Sequence, residues 1–152
     1  MFYYSYKTPI GQLQIFANPE YITKISFFEK KIQGAIEEET PLIKKMHLEL
    51  SAYFAGKRKS FTVPVKPDGT FFQQSVWKAL LEIPYGETRS YKQIAETIGK
   101  PTACRAVGMA NNRNPIPIVI PCHRVVGANG DLIGYAGGLD VKVKLLEIEE
   151  RK

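Results

Sequence analysis

The chain has 152 residues, 44% of them hydrophobic, and a formal charge of +6. This length allows one ordinary core or two small subdomains sharing an interface, and the basic balance favours an acidic partner, nucleic acid above all. Two cysteines and two histidines, scattered and without a Cys-x-x-Cys pair, argue against a metal site and a disulfide framework; the opening residues do not read as a secretory signal and no apolar run reaches membrane-spanning length, so a soluble, intracellular protein is expected.

Residues 2–6 and 12–17 read as strands separated by the turn Thr8-Pro9-Ile10-Gly11, and 22–28 as a third, giving a small antiparallel meander. In the second strand Leu13 and Ile15 alternate with glutamines, as on a half-buried sheet, and the tyrosines of the first suit packing on core and sheet surface. After the solvated run Glu37–Glu39, Thr40 suits an N-cap and Pro41 the first helical position. Leu42, Met46, Leu50, Tyr53 and Phe54 then recur at helical spacing, with Gly56 past the end and His47 beside the stripe as a structural residue. Lys57-Arg58-Lys59 is a solvated loop, and the stretch 60–69, with Pro64 and Pro67, reads as a connection. It divides the chain into subdomains at 1–66 and 67–152.

A helix over 71–83 follows, with Phe72, Val76 and Leu80 in one stripe and Trp77 and Leu81 beside it. Ser90 can cap a helix over 91–98; Gly99-Lys100-Pro101 turns the chain, and a second helix spans 102–110. Helix, glycine-containing turn, helix is the helix-turn-helix pattern. Its second helix offers a single long polar side chain, Arg105, among Ala103, Ala106, Gly108 and Ala110. Small residues let a helix backbone approach DNA closely while one long side chain enters the base stack, which suits the minor groove better than base reading in the major groove; a tightly packed core helix whose Arg105 makes a salt bridge fits the same residues equally well.

Residues 114–126 form a distinctive stretch. Pro115, Pro117 and Pro121 preclude helix interior and central strand, while Ile116, Ile118 and Ile120 alternate as on one buried side of an extended segment. The segment ends at Cys122, followed by His123 and Arg124, side chains able to stabilise a thiolate nucleophile, although a buried cysteine taken alone is more often a small hydrophobe. Glycines then crowd residues 127–138, implying tight turns but no phosphate loop. A final helix from about 139 to 150 buries Val141, Leu145 and Ile148. At about 100° per residue, Glu149 falls at the edge of that stripe and is the terminal glutamate best placed to point inward, with His123 as its candidate partner.

Pro121-Cys122-His123-Arg124-Val125 after Asn114-Pro115, with Tyr53-Phe54-Ala55-Gly56, Val76-Trp77, Ile83-Pro84-Tyr85-Gly86, Ser90-Tyr91, Arg105-Ala106-Val107-Gly108, Tyr135-x-Gly137-Gly138 and Lys142-x-x-Leu145-Leu146-x-x-Glu149, resembles the 6-O-alkylguanine-DNA alkyltransferases, also called methylated-DNA–protein-cysteine methyltransferases. The resemblance is dense from about Tyr53 to Glu149 and looser before. It implies an α+β fold: a small N-terminal antiparallel sheet with a helix, ribonuclease-H-like, and a C-terminal helix-turn-helix subdomain, winged-helix-like. It implies irreversible, single-turnover transfer of the alkyl group from 6-O-alkylguanine, and from 4-O-alkylthymine, to Cys122. His123 would be the base through a bridging water, Glu149 its orienting carboxylate, Asn114 a hinge bracing the segment, and Tyr91 a proton donor to the departing guanine. Arg105 would fill the gap left by a flipped nucleotide. Tyr91, Ala103, Ala106, Gly108, Arg113 and Arg124 would share the DNA face, and Tyr135, Ala136 and Val125 the alkyl pocket. Ala136 stands where some relatives carry serine or a larger residue, and the N-terminal zinc site of some members has no counterpart. The expected partner is double-stranded DNA held through the minor groove by a monomer without metal, cofactor or membrane, in the cytoplasm (the nucleus, if eukaryotic). The rival readings are a helix-turn-helix binding protein without chemistry and a cysteine hydrolase; the latter needs an oxyanion hole, for which the proline-rich segment has few backbone donors.

Overall fold

The computed structural model describes residues 1–132, 134–135 and 137–150. They gather into two compact units, Met1–Asp68 and Gly69–Lys152. In the first, β1 (Phe2–Thr8), β2 (Gly11–Ala17) and β3 (Ile22–Ser26) are antiparallel neighbours, with β4 (Ile36–Glu37) added beside β1 in the order β3-β2-β1-β4. The short β4 runs parallel to β1, so the sheet is mixed rather than wholly antiparallel; two residues carry too little pattern to be read as a strand. β2 is buried on both faces from Leu13 to Ala17, not on one. Gln14 tolerates this because its Oε1 accepts the Lys30 N–H at 2.7 Å. β3 stops at Ser26, whose hydroxyl bonds the Phe28 backbone and closes the strand into a turn.

Helix α1 (Pro41–Phe54) starts at the expected cap, with Thr40 Oγ1 accepting the Ile43 N–H. Its buried stripe is Ile43, Met46, Leu50 and Tyr53, while Leu42 is only half-buried. Glu49 joins that stripe. Its carboxylate accepts Thr62 N–H at 2.8 Å, the Thr62 hydroxyl at 2.5 Å and Val63 N–H at 3.3 Å, fastening the chain beyond the helix. Burial would raise its pKa, but the Thr62 bonds outweigh that and hold it below the ordinary value. His47 stacks on Tyr6 at 3.7 Å between ring centroids, a structural role.

The second unit opens with α2 (Phe71–Leu81), started by a reciprocal cap between Thr70 and Gln73. The helix ends before Glu82 and leaves Leu81 half exposed, so Trp77 anchors it instead: the indole N–H donates to the Ala110 carbonyl at 2.9 Å. β5 (Arg89–Ser90) leads into α3 (Tyr91–Thr97), which Ser90 and Gln93 cap in the same reciprocal way. α4 (Cys104–Asn112) begins later than the sequence pattern suggests, because Ala103 has φ −95°, ψ 26° and no side chain to cap it, and continues past 110 to Asn112. β5 pairs in parallel with β6 (Val125–Val126), and α5 (Leu139–Glu150) closes the unit.

The stretch 114–121 is not the extended rod that its alternation suggests. Ile118 has φ 74°, Ile120 N–H returns to the Ile116 carbonyl at 3.0 Å, and Ile116 through Ile120, Pro117 included, are all buried. A left-handed conformation at a β-branched residue costs about 1–2 kcal/mol; burial of the isoleucines and two bonds from Asn114 offset it. Asn114 Nδ2 donates to the Ile120 carbonyl at 2.7 Å and its Oδ1 accepts Ile116 N–H at 3.0 Å. Pro121, at φ −80° and ψ 64°, then centres an inverse γ-turn, with Cys122 N–H on the Ile120 carbonyl at 2.7 Å. Cys122–Arg124 follow as a single 3₁₀ turn.

Candidate active site

Two turns therefore present Cys122 from inside the second unit rather than from the tip of a strand. The thiol is 3% exposed, and burial pushes its pKa up. Hydrogen bonding by Asn114 and Tyr135 and the positive charge of Lys142 work the other way, without reversing the shift. Asn111, on the last turn of α4, donates to the Cys122 carbonyl at 3.3 Å, so this helix touches the reactive turn directly.

His123 is fully buried, and its Nε2 lies 2.5 Å from Glu149 Oε2. Burial lowers the imidazole pKa; Glu149 opposes this, and Arg124 and Lys142 add to it. The resting ring is neutral at pH 7, and with Nε2–H donating to the carboxylate the lone pair resides on Nδ1. Successive side chains of a 3₁₀ turn diverge by about 120°, so His123 and Cys122 leave the backbone in different directions, a geometry compatible with a relay between them.

Glu149 occupies a socket. Besides His123 it takes Arg124 Nε at 2.8 Å, Arg124 Nη2 at 3.1 Å and the Gly86 N–H at 3.2 Å. The remaining Arg124 nitrogen donates to the Ile83 carbonyl at 2.7 Å, its guanidinium sits 5.7 Å from the Tyr85 ring centroid, and the Tyr85 hydroxyl reaches the Ile148 carbonyl. Arg124 was expected on a DNA face; the structure turns it inward, 7% exposed, because its forked donor set fits a carboxylate and a carbonyl already in the interior. The loop 83–86 thus builds the seat of the carboxylate, a part that its turn-forming sequence did not disclose.

Tyr91, at the start of α3, is half-buried, and burial followed by the charge of Cys122 raises its phenol pKa. Its ring also lies against Gly108 of α4, where an added Cβ would be 3.9 Å away. On α4, Arg105, Ala106 and Arg113 beyond its end are exposed, Ala103 and Gly108 half-buried, and Val107 and Ala110 interior. Val125 is buried, Tyr135 half-buried, and Ala136 lies outside the described residues.

The largest surprise is Lys142. It is 0% exposed, in the first turn of α5, with Nζ donating to the Val125 carbonyl at 2.7 Å and the Gly134 carbonyl at 3.4 Å. Gly134 itself has φ 53°, and a Cβ there would come 3.3 Å from the Asn112 amide. The inner stripe of α5 is accordingly Lys142, Leu145, Ile148 and Glu149, with Val141 only half-buried. The spacing was visible in the sequence; charge alone kept Lys142 off the expected core. Asn111 lies just past the end of the helix expected over 102–110, where its polar side chain gives no sign of an interior partner.

Residues 71–151 match the family model described as 6-O-methylguanine DNA methyltransferase, DNA binding domain, and residues 1–67 match its ribonuclease-like domain. The chain is 51% identical over 153 residues to a methylated-DNA–protein-cysteine methyltransferase of Methanosarcina acetivorans, with 98% of both chains covered. It is 45% identical over 156 residues to the constitutive enzyme of that name from Bacillus subtilis, covering 97% of this chain and 94% of the relative. Among solved structures, Mycobacterium tuberculosis OGT in complex with DNA superposes with a TM-score of 0.93 at 46% identity, covering 99% of this chain and 93% of that one. A 6-O-methylguanine DNA methyltransferase from Methanococcus jannaschii gives a TM-score of 0.70 at 27% identity, covering 97% and 93%. No helix among the described residues is long and apolar enough to cross a membrane. The two matched models, together spanning almost the whole chain, and the full-length relatives show that this chain belongs to the 6-O-methylguanine DNA methyltransferase family.

Proposed function

We propose that this protein repairs double-stranded DNA by direct reversal, moving the alkyl group of 6-O-alkylguanine, and of 4-O-alkylthymine, onto its own Cys122, once per molecule. The observation that carries the reading is a buried thiol followed directly in the chain by a buried imidazole that Glu149 holds at Nε2. Opposite shifts leave thiol and imidazole both neutral at rest. The nucleophile is therefore made in place: the Cys122 proton passes through a bridging water to His123 Nδ1, and Glu149 stabilises the imidazolium. The sulfur then attacks the alkyl carbon. A carbon–sulfur bond forms, the carbon–oxygen bond breaks, and its electron pair remains on the guanine, which takes a proton from Tyr91. Among the described residues the thioether has no neighbour able to remove the alkyl group, so the chain acts once.

The oxygen under attack is out of reach in a stacked duplex, so the base flips out. α4 enters the minor groove, Arg105 fills the vacated stack, and Ala103, Ala106, Gly108 and Arg113 flank it; Asn114 braces the thiol, and Tyr135, Val125 and Ala136 wall the alkyl pocket. Arg124 belongs with Glu149 as a positioning residue. In this reading residues 1–66 form the ribonuclease-H-like subdomain and 67–152 the DNA-binding and acceptor subdomain of a cytoplasmic monomer that needs no metal or cofactor. The test is intact mass after mixing with a duplex carrying one 6-O-methylguanine, then peptide mapping. One methyl group appears on Cys122 in a single stoichiometric burst; Cys122→Ala binds the duplex and gains none. A Cys122→Ala protein that still becomes methylated refutes the assignment.

A further inference from the structure

Lys142 sits deeper than any other described lysine of the second unit, yet neither the alkyl transfer nor the proton relay above uses it. Burying an ammonium is costly unless charge and hydrogen bonds compensate it. Two contacts do so visibly, the carbonyls of Val125 at 2.7 Å and Gly134 at 3.4 Å. Each carbonyl belongs to a piece of the site. Val125 directly follows the Cys122–Arg124 turn, and Gly134 precedes Tyr135, whose side chain favours the thiolate of Cys122. The ammonium thus ties the two segments that enclose the sulfur, while its charge lies within reach of the sulfur itself.

We infer that Lys142 is a positioning residue of the transfer: its ammonium is the counter-charge that allows a buried Cys122 to ionise, and its two carbonyl contacts hold Tyr135 against the reactive turn. The inference rests on Cys122 being the nucleophile. Other groups near the sulfur are Tyr91 from α3, Tyr135 and Asn114, while His123 and its Glu149–Arg124 pair follow next along the chain. Of these, Arg124 is already matched by Glu149 at 2.8 Å, and His123 is neutral until it receives the thiol proton, so the standing positive charge available to a thiolate is that of Lys142. The same charge disfavours a second cation at His123, which keeps the base unprotonated before transfer. Burial lowers the lysine pKa, and the charge of a Cys122 thiolate opposes this.

The test reads the thiol without DNA. Iodoacetamide labelling of Cys122 is followed across pH by peptide mass, with Cys104 counted separately. In Lys142→Met the half-labelling pH rises by about one unit, equivalent to a tenfold loss of thiolate at fixed pH below it; in Lys142→Arg, which keeps the charge, it stays within a few tenths of wild type. Superposable profiles for Lys142→Met and wild type overturn the inference. A second measurement needs no substitution at Lys142: its ammonium is titrated by NMR in the wild type and in Cys122→Ala. Loss of the thiolate lowers the lysine pKa, and identical titrations overturn the inference. Neither readout depends on methyl transfer, so failure of the repair reading registers separately, as no methyl group on Cys122.

Discussion

Replacing Glu149 with glutamine preserves shape and removes one charge, at the point where four contacts converge. Glu149 is almost wholly buried and bonds His123 Nε2 at 2.5 Å, Arg124 Nε at 2.8 Å, Arg124 Nη2 at 3.1 Å and Gly86 N–H at 3.2 Å. The variant leaves the Arg124 guanidinium buried without its anion, and breaking a buried pair from one side costs about 3–5 kcal/mol. For a unit of this size that lowers Tm by more than about 10 °C. The imidazole also loses the group that fixes its tautomer and stabilises its protonated form, so single-turnover transfer slows by about 10²-fold. Urea denaturation and rapid-quench transfer assays measure the two effects. Adding Arg124→Met removes the stranded cation, and the double variant recovers about 1–3 kcal/mol relative to the sum of the single costs. If Glu149→Gln costs under about 1 kcal/mol, transfers at the wild-type rate and adds independently to Arg124→Met, the socket is neither electrostatic nor catalytic and the argument fails.

Gly69→Ala would set a Cβ 2.4 Å from the Trp77 ring, which is buried and held by its bond to Ala110, so the ring must move; a loss of about 1–3 kcal/mol in urea denaturation is expected, and unchanged stability refutes the packing. His123 is held neutral, its folded pKa lowered by burial, so the unfolded chain binds the extra proton. Its contribution is complete above the unfolded value of about 6.5 and is lost as pH falls from there toward the lower folded value. Unfolding free energy measured from pH 7.5 to 5.5 should therefore decline with acid, and more steeply than in His123→Gln; equal slopes refute the assignment, His47 being present in both proteins.

The helices were legible where a cap and a stripe agreed: Thr40 before Pro41, and Ser90 before Tyr91, both start elements in the structure. The antiparallel hairpin of β1 and β2 followed from its turn and alternation. Cys122, His123 and Glu149 could be singled out because each carries chemistry on its face, and the final helix gave Glu149 its direction. What stayed hidden were relations between distant segments. Alternating isoleucines imply an extended segment only if both ends are free to extend, and Asn114 closes this one into a turn with Ile118 at φ 74°. Arg124 has the composition of a surface residue and the environment of an interior one, decided by a carboxylate 25 residues away. Lys142 likewise sits in a core stripe, for which its only local sign was spacing.

α5 supplies Lys142 and Glu149 seven residues apart, two turns along one face, whereas the sulfur arrives on a separate turn. The sequence thus separates possession of the thiol from its activation. Local opening of the last helix would expose both charges to water and silence the sulfur, while α3 and α4 stay folded against each other. Hydrogen exchange along α5 is then a measure of how often the thiol loses the groups that activate it.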